Sequence, residues 1–270
     1  MGQEASTARV LAQVEANREG LIADVVRCVR IPSVVGHEGA AQAFMRDLYS
    51  RLGLAVDVFE ADLETVARHP AFVRTAWGSE GRPNVVGTLT GSDPAARSLA
   101  LNGHIDVVSP EPLDAWSRDP WGGEIVLVDG VERLYGRGAL DMKSGTVACA
   151  HALKAVLDAG LRPRGTVILQ SVVEEEAGGG AGTVGSAAAR AAPGARARRQ
   201  MQKRGSAPWK MFMGGLYLLL FNPGKACVTP PRMKGGTILS GAQQGQQERA
   251  QKVSTLLQRR RRSRRQGAFL

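Results

Sequence analysis

The run Thr166-Val167-Ile168-Leu169-Gln170-Ser171-Val172-Val173 limits the fold of this chain more than any other stretch. It is apolar and β-branched, bounded by Gly165 before it and by Glu174, Glu175 and Glu176 after it. Such a run is a central strand of an α/β sheet, buried on both faces. Carboxylates placed directly after a buried strand need a reason, because ionised side chains are rarely buried without partners. Two other segments end in the same way. Leu99-Ala100-Leu101 leads into His104 and Asp106, and the glycine-rich Gly136-Arg137-Gly138 leads into Asp141. Open α/β sheets build their sites from groups gathered at the carboxyl ends of strands.

The remaining pattern supplies helices and further strands around this centre. Ser6 or Thr7 caps a helix with apolar positions Val10, Val14, Leu21, Val25 and Val29, stopped by Pro32. A second helix is expected from Glu38 to Leu52, ended by Gly53. Leu54 to Phe59, Asn84 to Leu89 and Ser98 to Leu101 read as strands, the last two joined through an Asp93-Pro94 turn. Gly122 to Val128 is another, returning through Asp129-Gly130 toward Leu134-Tyr135. Lys143 to Asp158 is an alanine-rich helix closed by Gly160. Helices interleaved with strands give an α/β sandwich.

Charge divides the chain. Residues 1–180 carry 17 Lys+Arg against 24 Asp+Glu, whereas residues 181–270 carry 18 against one, so the net charge of +10 belongs wholly to the last third. No Asp follows Asp158, no His follows His151, and Glu248 is the one late acid. Residues 1–184 are therefore expected to form the folded part and 185–270 a basic, largely disordered tail. Met211 to Phe221 is apolar but too short to span a bilayer, and reads as a buried or interfacial segment. Three widely spaced cysteines without a CxxC pair suggest neither a disulfide framework nor a zinc knuckle. With no signal-like start and no membrane span, a cytoplasmic location is expected.

The chemistry follows from the residue types. His104 and Asp106, two apart on an extended chain, share a side, so the aspartate can orient an imidazole that binds metal. Histidine with carboxylates suits zinc or cobalt. Glu175 and Glu176 point to opposite sides if extended, so one can ligate while the other moves a proton. His37, His69 and His151 are most simply surface or packing residues, and Trp116 and Trp121 packing residues. Asp141 could also cap the helix beginning at Lys143.

Together these segments resemble the zinc-dependent amidohydrolase family of acetylornithine deacetylase, succinyl-diaminopimelate desuccinylase, aminoacylase and carboxypeptidase G. The resemblance covers about residues 10–183. It rests on Arg30-Ile31-Pro32-Ser33-Val34, Gly103-His104-Ile105-Asp106-Val107-Val108, Trp116 with Asp119-Pro120-Trp121, and Gly136 through Lys143. It implies that residues 1–184 are the N-terminal part of a three-layer α/β catalytic domain, with a mixed central sheet flanked by helices and incomplete on its C-terminal side. It also implies hydrolysis of amide bonds in N-acyl amino acids or small peptides at a pair of zinc ions. His104 is then a ligand of one zinc, Asp106 its orienting carboxylate, Asp141 the bridging carboxylate, Glu175 the general base and Glu176 a ligand of the second zinc. The triple glutamate leaves the register open by one, and the Glu-Glu-x-Gly-Gly spacing favours Glu175-Glu176. A cis peptide after Asp141 is implied as well.

The chain departs from the family pattern where a further acidic ligand and a C-terminal histidine ligand are due. The dimerisation domain that makes homodimers in the family is not recognisable either. An impaired enzyme with a truncated site is the expectation. The rivals are an inactive fragment and a nonenzymatic binder of nucleic acid or an anionic surface through Arg259 to Arg265.

Overall fold

The computed structural model describes residues 2–186 and the backbone of Tyr217–Phe221. Among these, a five-stranded mixed sheet has the order β1-β2-β6-β3-β7. Its strands are β1 (Ala55–Phe59), β2 (Asn84–Leu89), β3 (Ser98–His104), β6 (Val167–Val172) and β7 (Tyr217–Phe221). A separate hairpin joins β4 (Glu124–Val128) to β5 (Val131–Tyr135). The helices are α1 (Gln3–Ala16), α2 (Arg18–Val29), α3 (Gly39–Arg51), the single turn α4 (Leu63–Val66) and α5 (Lys143–Asp158).

The Thr166 to Val173 run is the central strand β6, buried along its whole length. It pairs antiparallel with β2 and parallel with β3, and the parallel register sets His104 opposite Val172. Parallel neighbours need a long crossover, which the β4–β5 hairpin and α5 provide. Alternate residues of β6 serve the two faces. Val167, Leu169 and Val173 join Val29, Met45, Tyr49, Val147 and Leu153 in one hydrophobic core, which binds α2, α3 and α5 to one face of the sheet. Ile168 packs with Val86 and Ala100 on the other face, beside the Asn102–Gln170 side-chain hydrogen bond of 2.9 Å. Among the described residues no helix contributes to this second cluster.

Three boundaries differ from expectation. The first helix breaks at Asn17 into α1 and α2 and starts at Gln3, not at a Ser6 or Thr7 cap. Both hydroxyls instead donate back to carbonyls one turn earlier, at Gly2 and Gln3, as helix-interior serines and threonines do. β3 runs on to His104 because β6 continues beside it. Tyr217–Phe221 forms an antiparallel strand on the outer edge of β3. An unpaired edge is a template for strand addition. The rest of the tail expectation falls outside the described residues. No described helix is long and apolar enough to cross a membrane.

Close approach of α5 to β3 depends on Gly103. A Cβ there would lie 2.5 Å from Thr146 Oγ1, the hydroxyl that donates to the His104 carbonyl at 3.0 Å. Gly103→Ala is therefore expected to cost about 1–3 kcal/mol through overpacking. Equilibrium urea unfolding of the two chains checks this.

Candidate metal centre

The strand ends of β3 and β6 place the chemically active groups. His104 closes β3 and is buried. Its Nδ1 lies 2.9 Å from the carbonyl oxygen of Asp106, with the Asp106 carboxylate further off at 3.6 Å. A carbonyl only accepts, so Nδ1 carries a proton, and Nε2 is the nitrogen left to face a metal. That Nε2 faces the Asp141 carboxylate at 3.2 Å and Glu175 at 3.6 Å.

Both the carbonyl and the carboxylate of Asp106 thus lie near Nδ1, the carbonyl being the closer. The carboxylate, fully buried, accepts the backbone amides of Glu175 at 3.2 Å and Glu176 at 3.0 Å. One residue thus ties the end of β3 to the turn after β6.

That turn also departs from the extended chain that would send Glu175 and Glu176 to opposite sides. Glu174 has φ 67°, and Glu175–Ala177 form a 3₁₀ turn closed by left-handed Gly178 and Gly179. The amide of Gly179 donates to the Glu174 carbonyl at 2.5 Å. Gly182 then passes so near β6 that a Cβ would meet the Val173 carbonyl at 1.9 Å, which only glycine permits.

The three glutamates go to different places. Glu174 is buried in an ion pair with Arg82 at 2.9 Å. Arg82 also binds both oxygens of buried Glu38, at 2.7 and 2.8 Å. Sequence reasoning missed this triad, because nothing in the spacing of Glu38, Arg82 and Glu174 links them. Glu175 and Glu176 remain on the side of His104. One ligand atom each from His104, Asp141 and Glu176 lies within 4.8 Å of the others.

Asp141 is largely exposed and does not cap α5, whose first residue follows Met142 with no side-chain cap. The peptide from Asp141 to Met142 is cis, as the resemblance implied. Lys143, next along, is buried and donates to the Cys28 and Ile31 carbonyls at the end of α2, and burial pushes it down to about 8. His37 and His69 are exposed, while His151 is buried against Asp24 at 3.1 Å. Trp116 packs edge-on to Tyr135 and Trp121 lies near Lys143.

The electrostatics are those of a site built for positive charge. Burial, and after it the charges of Asp141, Asp106 and Glu175, raise Glu176 above the usual carboxylate range against the opposing pull of His104. Burial works against a charged His104, but the carboxylates of Asp106, Glu175 and Asp141 outweigh it and raise the imidazole. The donor set fits a divalent cation. Imidazole and carboxylate ligands sit about 2 Å from zinc, so one ion's ligand atoms lie roughly 3–4 Å apart. A spread of at most 4.8 Å closes to that with small side-chain rotations.

At the strand ends of a mixed α/β sheet, His104, Asp141 and Glu176 thus form a group that could hold a metal ion, with Glu175 beside the imidazole. Residues 100–215 match the model of Peptidase family M20/M25/M40. The match runs past the boundary expected at residue 184. N-formyl-4-amino-5-aminomethyl-2-methylpyrimidine deformylase of Halalkalibacterium halodurans is 35% identical over 173 residues, or 63% of this chain and 36% of that protein. Succinyl-diaminopimelate desuccinylase of Cereibacter sphaeroides is 39% identical over 165 residues, or 61% and 36%. The chain thus spans little more than a third of these relatives. Human carnosine dipeptidase 1 shares the fold, with a TM-score of 0.50 and 24% identity over 63% of this chain and 35% of that one.

Burial pushes Asp106 up to about 6. Since the folded value lies above the unfolded one, the folded chain holds the extra proton between about pH 4 and 6, and this group's contribution to stability falls as pH rises through that window. The total change across the window amounts to at most about 3 kcal/mol. Asp106→Asn is expected to flatten that part of the profile, measured by urea unfolding with chelator from pH 4 to 7.

Proposed function

We propose that the protein hydrolyses amide bonds in N-acyl amino acids or small peptides, using zinc, with cobalt as the alternative metal. The observation that carries this reading is the meeting of His104, Asp141 and Glu176 with Glu175 beside the imidazole. His104 Nε2 and Glu176 would each serve one metal, with Asp141 shared between them. Bound zinc supplies Lewis-acid polarisation of the scissile carbonyl and lowers the pKa of the attacking water. Glu175 takes a proton from that water and returns it to the leaving amine nitrogen. Asp106 holds His104 through its carbonyl and aims both glutamates through its carboxylate. The cytoplasm is the proposed compartment, supported by the free, buried thiols of Cys28 and Cys149.

We further propose that the 270-residue chain holds its metals weakly. In the family each metal shares the bridging carboxylate and adds two more protein ligands, whereas this chain offers His104 to one and Glu176 to the other. Its sequence beyond Asp158 has no His or Asp to complete them. A missing ligand removes both charge compensation and rigidity.

Calorimetric titration of the chain with zinc and cobalt tests the site, alongside turnover of N-acetylornithine, N-acetylmethionine and a dipeptide. His104→Ala is expected to abolish binding. Glu175→Gln is expected to keep binding and lower any measurable turnover by about a hundredfold or more. Binding indifferent to His104→Ala would sink the assignment, and two tightly held metals in the unmodified chain would sink the proposed weakness.

A further inference from the structure

Glu38, Arg82 and Glu174 come from three separate parts of the chain: the start of α3, the loop before β2 and the end of β6. All three side chains are almost completely buried. The charge of Arg82 would be balanced by Glu38 alone, which takes it in a two-pronged pair, the strong geometry for guanidinium and carboxylate. A third Arg82 hydrogen bond goes to the Gly78 carbonyl at 2.7 Å. The second carboxylate, Glu174, therefore needs its own explanation. It adds a buried charge, and its backbone is left-handed at φ 67°, a conformation that a glutamate adopts reluctantly.

We infer that Arg82 is a positioning residue for Glu175 and Glu176, acting through Glu174; the inference rests on the metal-site reading above. The ion pair holds the Glu174 side chain on the α3 side of the turn. Its backbone then leads directly into the two amides that Asp106 captures at 3.2 and 3.0 Å. The turn is gripped from both ends, by Arg82 through a side chain and by Asp106 through the backbone. Only with both grips does the chain leave β6 in a tight turn that carries consecutive glutamates toward His104. The approach of the Arg82 loop to α3 is built in as well. A Cβ on Gly39 would lie 2.7 Å from the Gly81 carbonyl, so glycine at the start of α3 is what lets Arg82 reach Glu38. The N-terminus of α3 in turn favours the negative charge of Glu38 beside it.

Amide hydrogen exchange of the full chain with chelator present tests this without reference to metal. Arg82→Met is expected to speed exchange over residues 174–179 by about tenfold or more relative to Leu153→Ala, a core truncation in α5 that lowers global stability without touching the turn. Arg82→Met could fail to fold, so Glu174→Asn is the second variant. Asparagine tolerates positive φ, is too short to keep the Arg82 contact, and leaves the Arg82–Glu38 pair in place. It is expected to give the same local increase. Cobalt titration adds a spectroscopic readout. Both turn variants should weaken binding by about tenfold and alter the visible band, while Leu153→Ala keeps the band of the parent chain. Unchanged exchange over 174–179 in Glu174→Asn would overturn the inference. A parent chain with no cobalt band sensitive to His104→Ala would overturn the metal reading instead, and the exchange comparison would still decide on Arg82.

Discussion

The parallel pairing of β3 with β6 is the constraint on which the site depends. Because the two strands run the same way, both end at the same edge of the sheet, with His104 beside Val172. Had they been antiparallel, the imidazole and the glutamates would have emerged at opposite edges. From that edge Asp106 reaches across to the amides of Glu175 and Glu176, and Asp141 comes in on the loop before α5. The hydrophobic core under β6 fixes where these ends stand. The polar contacts at the edge fix which way each side chain points.

Buried charge is handled differently at each position, and the differences track what each group holds. Arg82 faces two carboxylates. Lys143 has no described carboxylate partner and donates instead to the Cys28 and Ile31 carbonyls, where the negative end of the α2 dipole supports a cation. Asp106 has two backbone amides. Each arrangement joins segments that hydrophobic packing alone would leave free to slide. Removing one partner from such a group leaves an uncompensated charge in the interior, the most damaging kind of polar substitution.

Much of this was legible in the sequence because it depends on local pattern. The extent of α5 follows from its alanine-rich periodicity and Gly160, and β6 from its β-branched run. His104, Asp141 and the glutamates were visible as polar residues directly after apolar runs. What escaped was set by backbone turns and by contacts distant in sequence. Glu175 and Glu176 read as alternating only if extended, and the left-handed Glu174 cancels that. The part Asp106 plays depends on which of its oxygens faces the ring, and residue spacing carries no such information. The break at Asn17 is hidden because the apolar positions of α1 and α2 stay in helical phase across it.

The strand order bears on how the chain acquires its structure. β2 and β3 follow one another in sequence, yet β6 lies between them in the sheet. Neither can complete its inner pairing until residues 167–172 have been made, some sixty positions after β3 ends. On a ribosome adding roughly 5–20 residues per second, the nascent chain waits several seconds with the inner edges of both strands open. The sheet therefore closes late and through contacts distant in sequence, the kind that slow folding and leave unfinished chains prone to association.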